Sequence, residues 1–126
     1  MIISVRQPWA WLIIHGAKSF ENRTWSTKYR GLLAIHASRK LSWEEYDAAR
    51  ILAVRTNTPW PALADIKLGG IIGTVQLVDI VTESDSPWFT GPFGWVLADP
   101  KPMEFFRCAG KLGLFDVICK VPTPEF

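Results

Sequence analysis

At 126 residues with 48% hydrophobic content, the chain can bury one sizeable core and leaves little for a second, so residues 1–126 are expected to form a single domain. A charged fraction of 21% argues against a disordered chain, and no apolar run reaches the ~20 residues that a membrane helix needs, so no membrane partner is expected. The net charge of +2 is compatible with a nucleic-acid partner without demanding one.

The distribution of charge says more than its sum. Arg6, Lys18, Arg23, Lys28, Arg30, Arg39 and Lys40 fall in the first third of the chain, where Glu21 is the only acid, which predicts a basic face there. The opening Met1 to Arg6 has none of the features of a secretion signal, so a cytoplasmic protein is expected. Cys108 and Cys119 have neither zinc-ligand spacing nor the company a disulfide framework needs, and they read as reduced, small buried residues. His15 and His36 are the only histidines, so no metal site is expected, nor any cofactor. Oligomeric state is not legible, and a monomer is the default.

In chain order, Met1 to Val5 reads as a strand, and Gln7-Pro8 opens a short helix over Trp9 to His15. Trp9, Leu12 and Ile13 lie on one helical stripe and should face the core. Gly16 is expected to end the helix in the left-handed conformation. Lys18 to Arg23 should be extended, Thr24 to Arg30 a polar loop, and Leu32 to Ala37 a buried strand with His36 near its exit. Ser42 and Glu45 make a capping box that starts a helix running to about Thr56, with Trp43, Tyr46, Ala49 and Ala53 as its apolar stripe. Asn57 to Lys67 carries two prolines and is expected to be a loop of unassigned role.

Gly69 to Val81 is the longest β-type stretch, with Gly73 marking a bulge or a close backbone approach and Asp79 expected as a paired inner-face acid. The acidic, turn-rich Glu83 to Pro92 leads to a short strand over Phe93 to Leu97. The Asp99-Pro100-Lys101-Pro102 segment should break that strand before another near Glu104 to Arg107. A Gly-rich turn at Gly110 to Gly113, a last strand from Leu114 to Val121 and a frayed tail after Pro122 complete the chain. Short strands, two helices and glycine-marked corners fit an α+β fold built as a small mixed barrel.

One stretch gathers chemistry. Gly16-Ala17-Lys18-Ser19-Phe20-Glu21-Asn22-Arg23 closes a helix and then places an ammonium, a carboxylate and a guanidinium within eight residues. None of these belongs in a core unpaired. The order resembles the ASCH domain family, whose GxKxxExR signature reads here as Gly16, Lys18, Glu21 and Arg23. Four further blocks follow the same resemblance: Ser4 to Ala10, Arg30 to Ser38, Gly91 to Leu97 and Gly110 to Val117. The resemblance implies a PUA-like β-barrel (pseudobarrel) with two main helices, and a cleft that takes RNA or a modified nucleobase.

Under that resemblance Lys18, Arg23 and Arg6 would hold phosphate or a base edge. Glu21 would accept from an exocyclic amine, and Trp25 or Trp95 would stack on the base. Gln7, His36 and Ser38 are further ligand-binding candidates, as an amide donor and as polar groups where a strand leaves the core. An enzyme is the alternative, with Lys18 and Glu21 as its catalytic candidates, because a partly buried lysine can act as base or nucleophile. Some ASCH proteins are amidohydrolases of N4-acetylcytidine that use the motif lysine, a threonine three residues on and a later glutamate. Here Glu21 stands where the threonine would be, with Glu83 and Asp85 in the later region. Others are ribonucleases, for which His36, Lys18 and Arg23 supply a base and phosphate-binding cations. The third alternative is a protein-interaction domain without a ligand.

Overall fold

The computed structural model describes residues 1–116. Strand β1 (Ile2–Gln7) leads into helix α1 (Trp9–His15), followed by β2 (Phe20–Arg23), β3 (Gly31–Leu41) and helix α2 (Trp43–Arg55). A single 3-10 turn at Leu63–Asp65 interrupts the long loop, and β4 (Gly70–Val81), β5 (Phe93–Arg107) and β6 (Leu114–Phe115) follow. The fold is α+β, with six strands in one mixed sheet in the order β2-β5-β4-β3-β1-β6. β1 and β3 run parallel and the other neighbours antiparallel. The two end strands do not pair with each other among the described residues, so the sheet curves without closing and matches a pseudobarrel only loosely.

The core forms where α1 lies on the sheet. Ile13 and Ile14 of α1 join Ile3, Val5, Leu33, Ile35, Val75, Leu77 and Trp95 in one buried cluster. Gly73 permits this approach, since a Cβ there would stand 2.8 Å from Ile14 Cδ1 and 2.6 Å from the Lys101 backbone oxygen. Helix α2 is attached differently: Ala49 packs with Leu12, Phe20 and Trp88 in a second cluster at the edge of the first. Ser42 caps α2 by accepting from the Glu45 N–H at 3.4 Å, one half of the expected capping box, while the Glu45 carboxylate pairs with Arg6 instead of returning to the Ser42 N–H.

Several expectations need correction. Gly16 has φ −107°, and the left-handed step falls on Ala17 at φ +59°. Position 16 is short of space instead, because a Cβ would sit 2.8 Å from Leu12 Cδ2 and 3.1 Å from the Leu12 backbone oxygen. Trp43 is 60% exposed and stacks edge-on against Tyr46, because the residues that α2 buries are Ala49 and Ala53 of its middle and last turns. Trp9 is half-buried rather than core. Asp79 points outward, with Arg30 at 4.0 Å and the Ile80 N–H as its neighbours.

The two short strands expected around Asp99 to Pro102 are one continuous strand, β5. β2 pairs with β5 only over Phe93–Val96, so beyond that point one side of β5 is an edge where proline forfeits no ladder bond. Asp99, at φ +54°, absorbs the register shift there. Of the expected last strand only Leu114–Phe115 is seen; its continuation to Val121, Cys119 and the tail lie outside the described residues.

Candidate functional site

A cavity of about 850 Å³ is lined by residues of β1, β2 and β3 together with Glu45 and Leu52 of α2. Its first wall follows from strand periodicity. Ser4 and Arg6 on β1, and His36, Ser38 and Lys40 on β3, recur every second residue, so paired parallel strands present them on one face. The floor comes from the turn after α1. Gly16 and Lys18 both donate their backbone N–H to the Leu12 carbonyl, which folds the chain back so that β2 begins beside the helix end. Lys18, Glu21, Asn22 and Arg23 then line the cavity together.

The three charged groups converge. Lys18 Nζ lies 3.7 Å from Glu21 Oε1, and Arg23 Nη2 donates to Glu21 Oε2 at 2.9 Å. Lys18 Nζ also donates to the Phe20 carbonyl and stands 5.5 Å from the centre of the Trp9 ring. Arg23 Nη2 donates to the Ser4 carbonyl as well, while its buried Nε has no hydrogen-bond partner. Lys18 is 4% exposed, and this burial lowers its pKa from the ordinary value. The Glu21 carboxylate opposes the shift by charge and hydrogen bonding, and the Arg23 charge adds to it. A single carboxylate thus bridges two cations at the bottom of an open pocket.

Above this floor the charge is less spent. Arg6 Nη1 is bound to Glu45 Oε1 of α2 at 3.0 Å, an exposed pair of the kind worth about 0.2–1 kcal/mol. Arg39, Lys40 and Lys111 are exposed and line the same cavity. Of the expected basic face, Arg6, Arg39 and Lys40 stand above the floor made by Lys18 and Arg23, while Lys28 and Arg30 do not line the cavity.

Not every candidate reaches this place. Gln7 is buried, and its amide serves the fold: Oε1 accepts from the Trp11 N–H at 2.9 Å and Nε2 donates to the Lys67 carbonyl at 3.0 Å. Trp95 is fully buried and donates Nε1–H to the Trp25 carbonyl at 3.2 Å, with the two rings edge-to-face at 4.8 Å. Both indoles belong to the main core and neither lines the cavity, because Trp95 sits in the covered first half of β5 and Trp25 closes over it. The indoles that do line it are Trp9 and Trp88. Glu83 and Asp85 are exposed and do not line it.

Sequence reasoning passed over Ser4, Asn22, Trp88 and Lys111 as site residues. Asn22 carries a structural signal: its Oδ1 accepts from the Thr90 and Gly91 N–H groups at 2.8 and 3.1 Å, and its Nδ2 donates to the Trp88 carbonyl at 3.0 Å. It pins the loop that brings Trp88 and Thr90 to the cavity wall. The alternating S-x-R and H-x-S-x-K patterns could have revealed the strand wall; nothing in the sequence marks Trp88. No cluster of His, Cys, Asp and Glu fit to hold a metal occurs among the described residues.

The sequence profile of the ASCH domain matches residues 3–91, which contain the charged floor and the strand wall. Activating signal cointegrator 1 of Homo sapiens is 30% identical over 113 residues, covering 80% of this chain and 19% of the human protein. The Mus musculus protein of the same name is 33% identical over 85 residues, 64% of this chain and 14% of the mouse protein. The chain therefore spans less than a fifth of the length of these relatives.

Proposed function

Because the chain belongs to the ASCH domain family, we propose that its cavity binds a nucleotide, either in single-stranded RNA or as a modified nucleobase. The observation that carries this reading is the layering of the site. A tied ammonium, carboxylate and guanidinium form the floor, two indoles stand beside it, and exposed cations ring the mouth. Glu21 and Arg23 suit a base edge that both donates and accepts, Trp9 or Trp88 suits stacking at about 1–3 kcal/mol per base, and Arg39, Lys40 and Lys111 suit phosphates. No helix among the described residues is long and apolar enough to cross a membrane. We take the domain as a monomer in the cytoplasm.

The test is fluorescence anisotropy of a labelled single-stranded RNA titrated with the protein at several salt concentrations. Log affinity should fall linearly with log salt, by about 0.7 per phosphate neutralised, and Lys40→Ala should reduce that slope. Affinity that ignores salt, or the absence of binding at low salt, overturns the reading. Burial of Lys18 favours a second one, hydrolysis of an acylated nucleoside, since a lowered pKa leaves more of its amine unprotonated and free to act as base or nucleophile. Release of acetate from N4-acetylcytidine, lost in Lys18→Ala, is its signature. Reading the domain as a ligand-free interaction module fits poorly with an open cavity lined by charge.

A further inference from the structure

Ser4 and His36 are register partners on the parallel strands β1 and β3, and Ser4 Oγ lies 3.1 Å from His36 Nδ1. The other ring nitrogen, Nε2, is 2.7 Å from the Cys108 backbone oxygen. A carbonyl can only accept, so Nε2 carries the ring proton. In the neutral imidazole, Nδ1 then turns its lone pair to the Ser4 hydroxyl. The ring has little freedom: His36 is 2% exposed, and Phe115 packs edge-on at 6.3 Å. Gly110 approaches so closely that a Cβ there would stand 2.6 Å from Ser4 Oγ and 2.8 Å from His36 Cε1.

Hydroxyl, imidazole and orienting acceptor stand in the order that an activated serine requires. Cross-strand packing alone would account for a Ser–His bond. It does not account for the pair opening on the cavity, with Arg6, Arg23 and Lys111 around the same space. Those cations favour an anionic substrate and the negative charge that develops on an attacked carbonyl oxygen.

We propose that Ser4 and His36 are a nucleophile and base that make this cavity an acyl-transfer site, acting on carboxylic esters or amides of anionic compounds. Ser4 Oγ bonds to the carbonyl carbon while its proton passes to His36 Nδ1. The tetrahedral adduct collapses by breaking the bond to the leaving oxygen or nitrogen, which takes that proton. Water then adds to the Ser4 ester, His36 again receiving a proton, and the carboxylic acid leaves with the serine hydroxyl restored. This rests on the cavity being a ligand site, as proposed above, but not on the ligand being a nucleic acid.

The experiment treats the purified chain with a fluorophosphonate, which esterifies activated serines, and locates the adduct by peptide mass spectrometry. Hydrolysis of 4-nitrophenyl acetate is followed in parallel. An adduct on Ser4 is expected, together with hydrolysis of 4-nitrophenyl acetate above the uncatalysed rate. Both should decline by about 100-fold or more in Ser4→Ala and His36→Gln. Ser4→Cys keeps a nucleophile of similar size and should restore acylation, which separates chemistry from folding. A folded wild-type chain that takes no label on Ser4, or equal hydrolysis by Ser4→Ala, overturns the proposal. Loss of RNA binding with Ser4 still labelled would sink only the nucleotide reading, and RNA binding with an inert Ser4 only this one.

Discussion

Replacing Glu21 by Gln isolates the charge balance at the cavity floor. The carboxylate bridges Lys18 at 3.7 Å and Arg23 at 2.9 Å, and both Lys18 and Glu21 are buried, at 4% and 9% exposure. Glutamine keeps the volume and removes the charge, leaving an ammonium under desolvation with Arg23 as a like-charged neighbour. Breaking a buried pair from one side costs about 3–5 kcal/mol, most of it the uncompensated charge. The loss should depend on pH in a definite direction. Lys18 already has a folded pKa below its ordinary 10.5, and removing Glu21 takes away what opposes that shift.

Between the folded and unfolded values the unfolded chain holds the extra proton, so the Lys18 contribution to stability rises with pH through that window and is lowest below it. The window of the variant reaches to lower pH than that of the wild type. Urea denaturation should therefore show a deficit that is largest at the acid end of the window and shrinks as pH rises through it. A deficit under about 1 kcal/mol, or one that grows with pH, would refute the argument that a buried, bridged ammonium lies at this floor.

Three further outcomes follow from the geometry. Asn22→Ala removes three hydrogen bonds to the loop at Trp88, Thr90 and Gly91; the Thr90 and Gly91 amides should lose protection in hydrogen exchange, with a stability loss of about 1–3 kcal/mol. Gly73→Ala drives a methyl to 2.6 Å from the Lys101 oxygen and should cost about 1–3 kcal/mol in thermal denaturation, a neutral result ruling out the close packing of α1. Ala17→Gly should stabilise the exposed left-handed step by about 0.5–1 kcal/mol, the relief of ~1–2 being offset by ~0.4–1 of unfolded-chain entropy.

Local signals were legible in the sequence where a short segment carries its own reason. The Ser42 and Glu45 box marks the start of α2 because the cap is made within four residues. Gly73 announces a close approach because a glycine amid β-branched residues forfeits packing that must be repaid by contact. The spacing of Lys18, Glu21 and Arg23 signals a charged turn, and the family is readable from the same residues. Misreadings occurred where burial depends on partners distant in the chain. Trp25 and Trp95 have the composition of a stacking lid, but an indole's place is decided by what covers it, and here they cover each other. Asp99 to Pro102 has the composition of a break, yet an open strand edge tolerates proline.

What the sequence alone determined is the set of groups that must be paired: the charges of the glycine turn, the capped helix and the long apolar strand, each dictated by bonds or periodicity within a few residues. Only the tertiary structure decided which of them share a space. The parallel pairing of β1 with β3 brings Ser4 and Arg6 to His36 and Ser38, and Asn22 draws Trp88 from 66 residues away. Such encounters are set by sheet order and packing, which depend on the whole chain at once, so no local stretch of it records them.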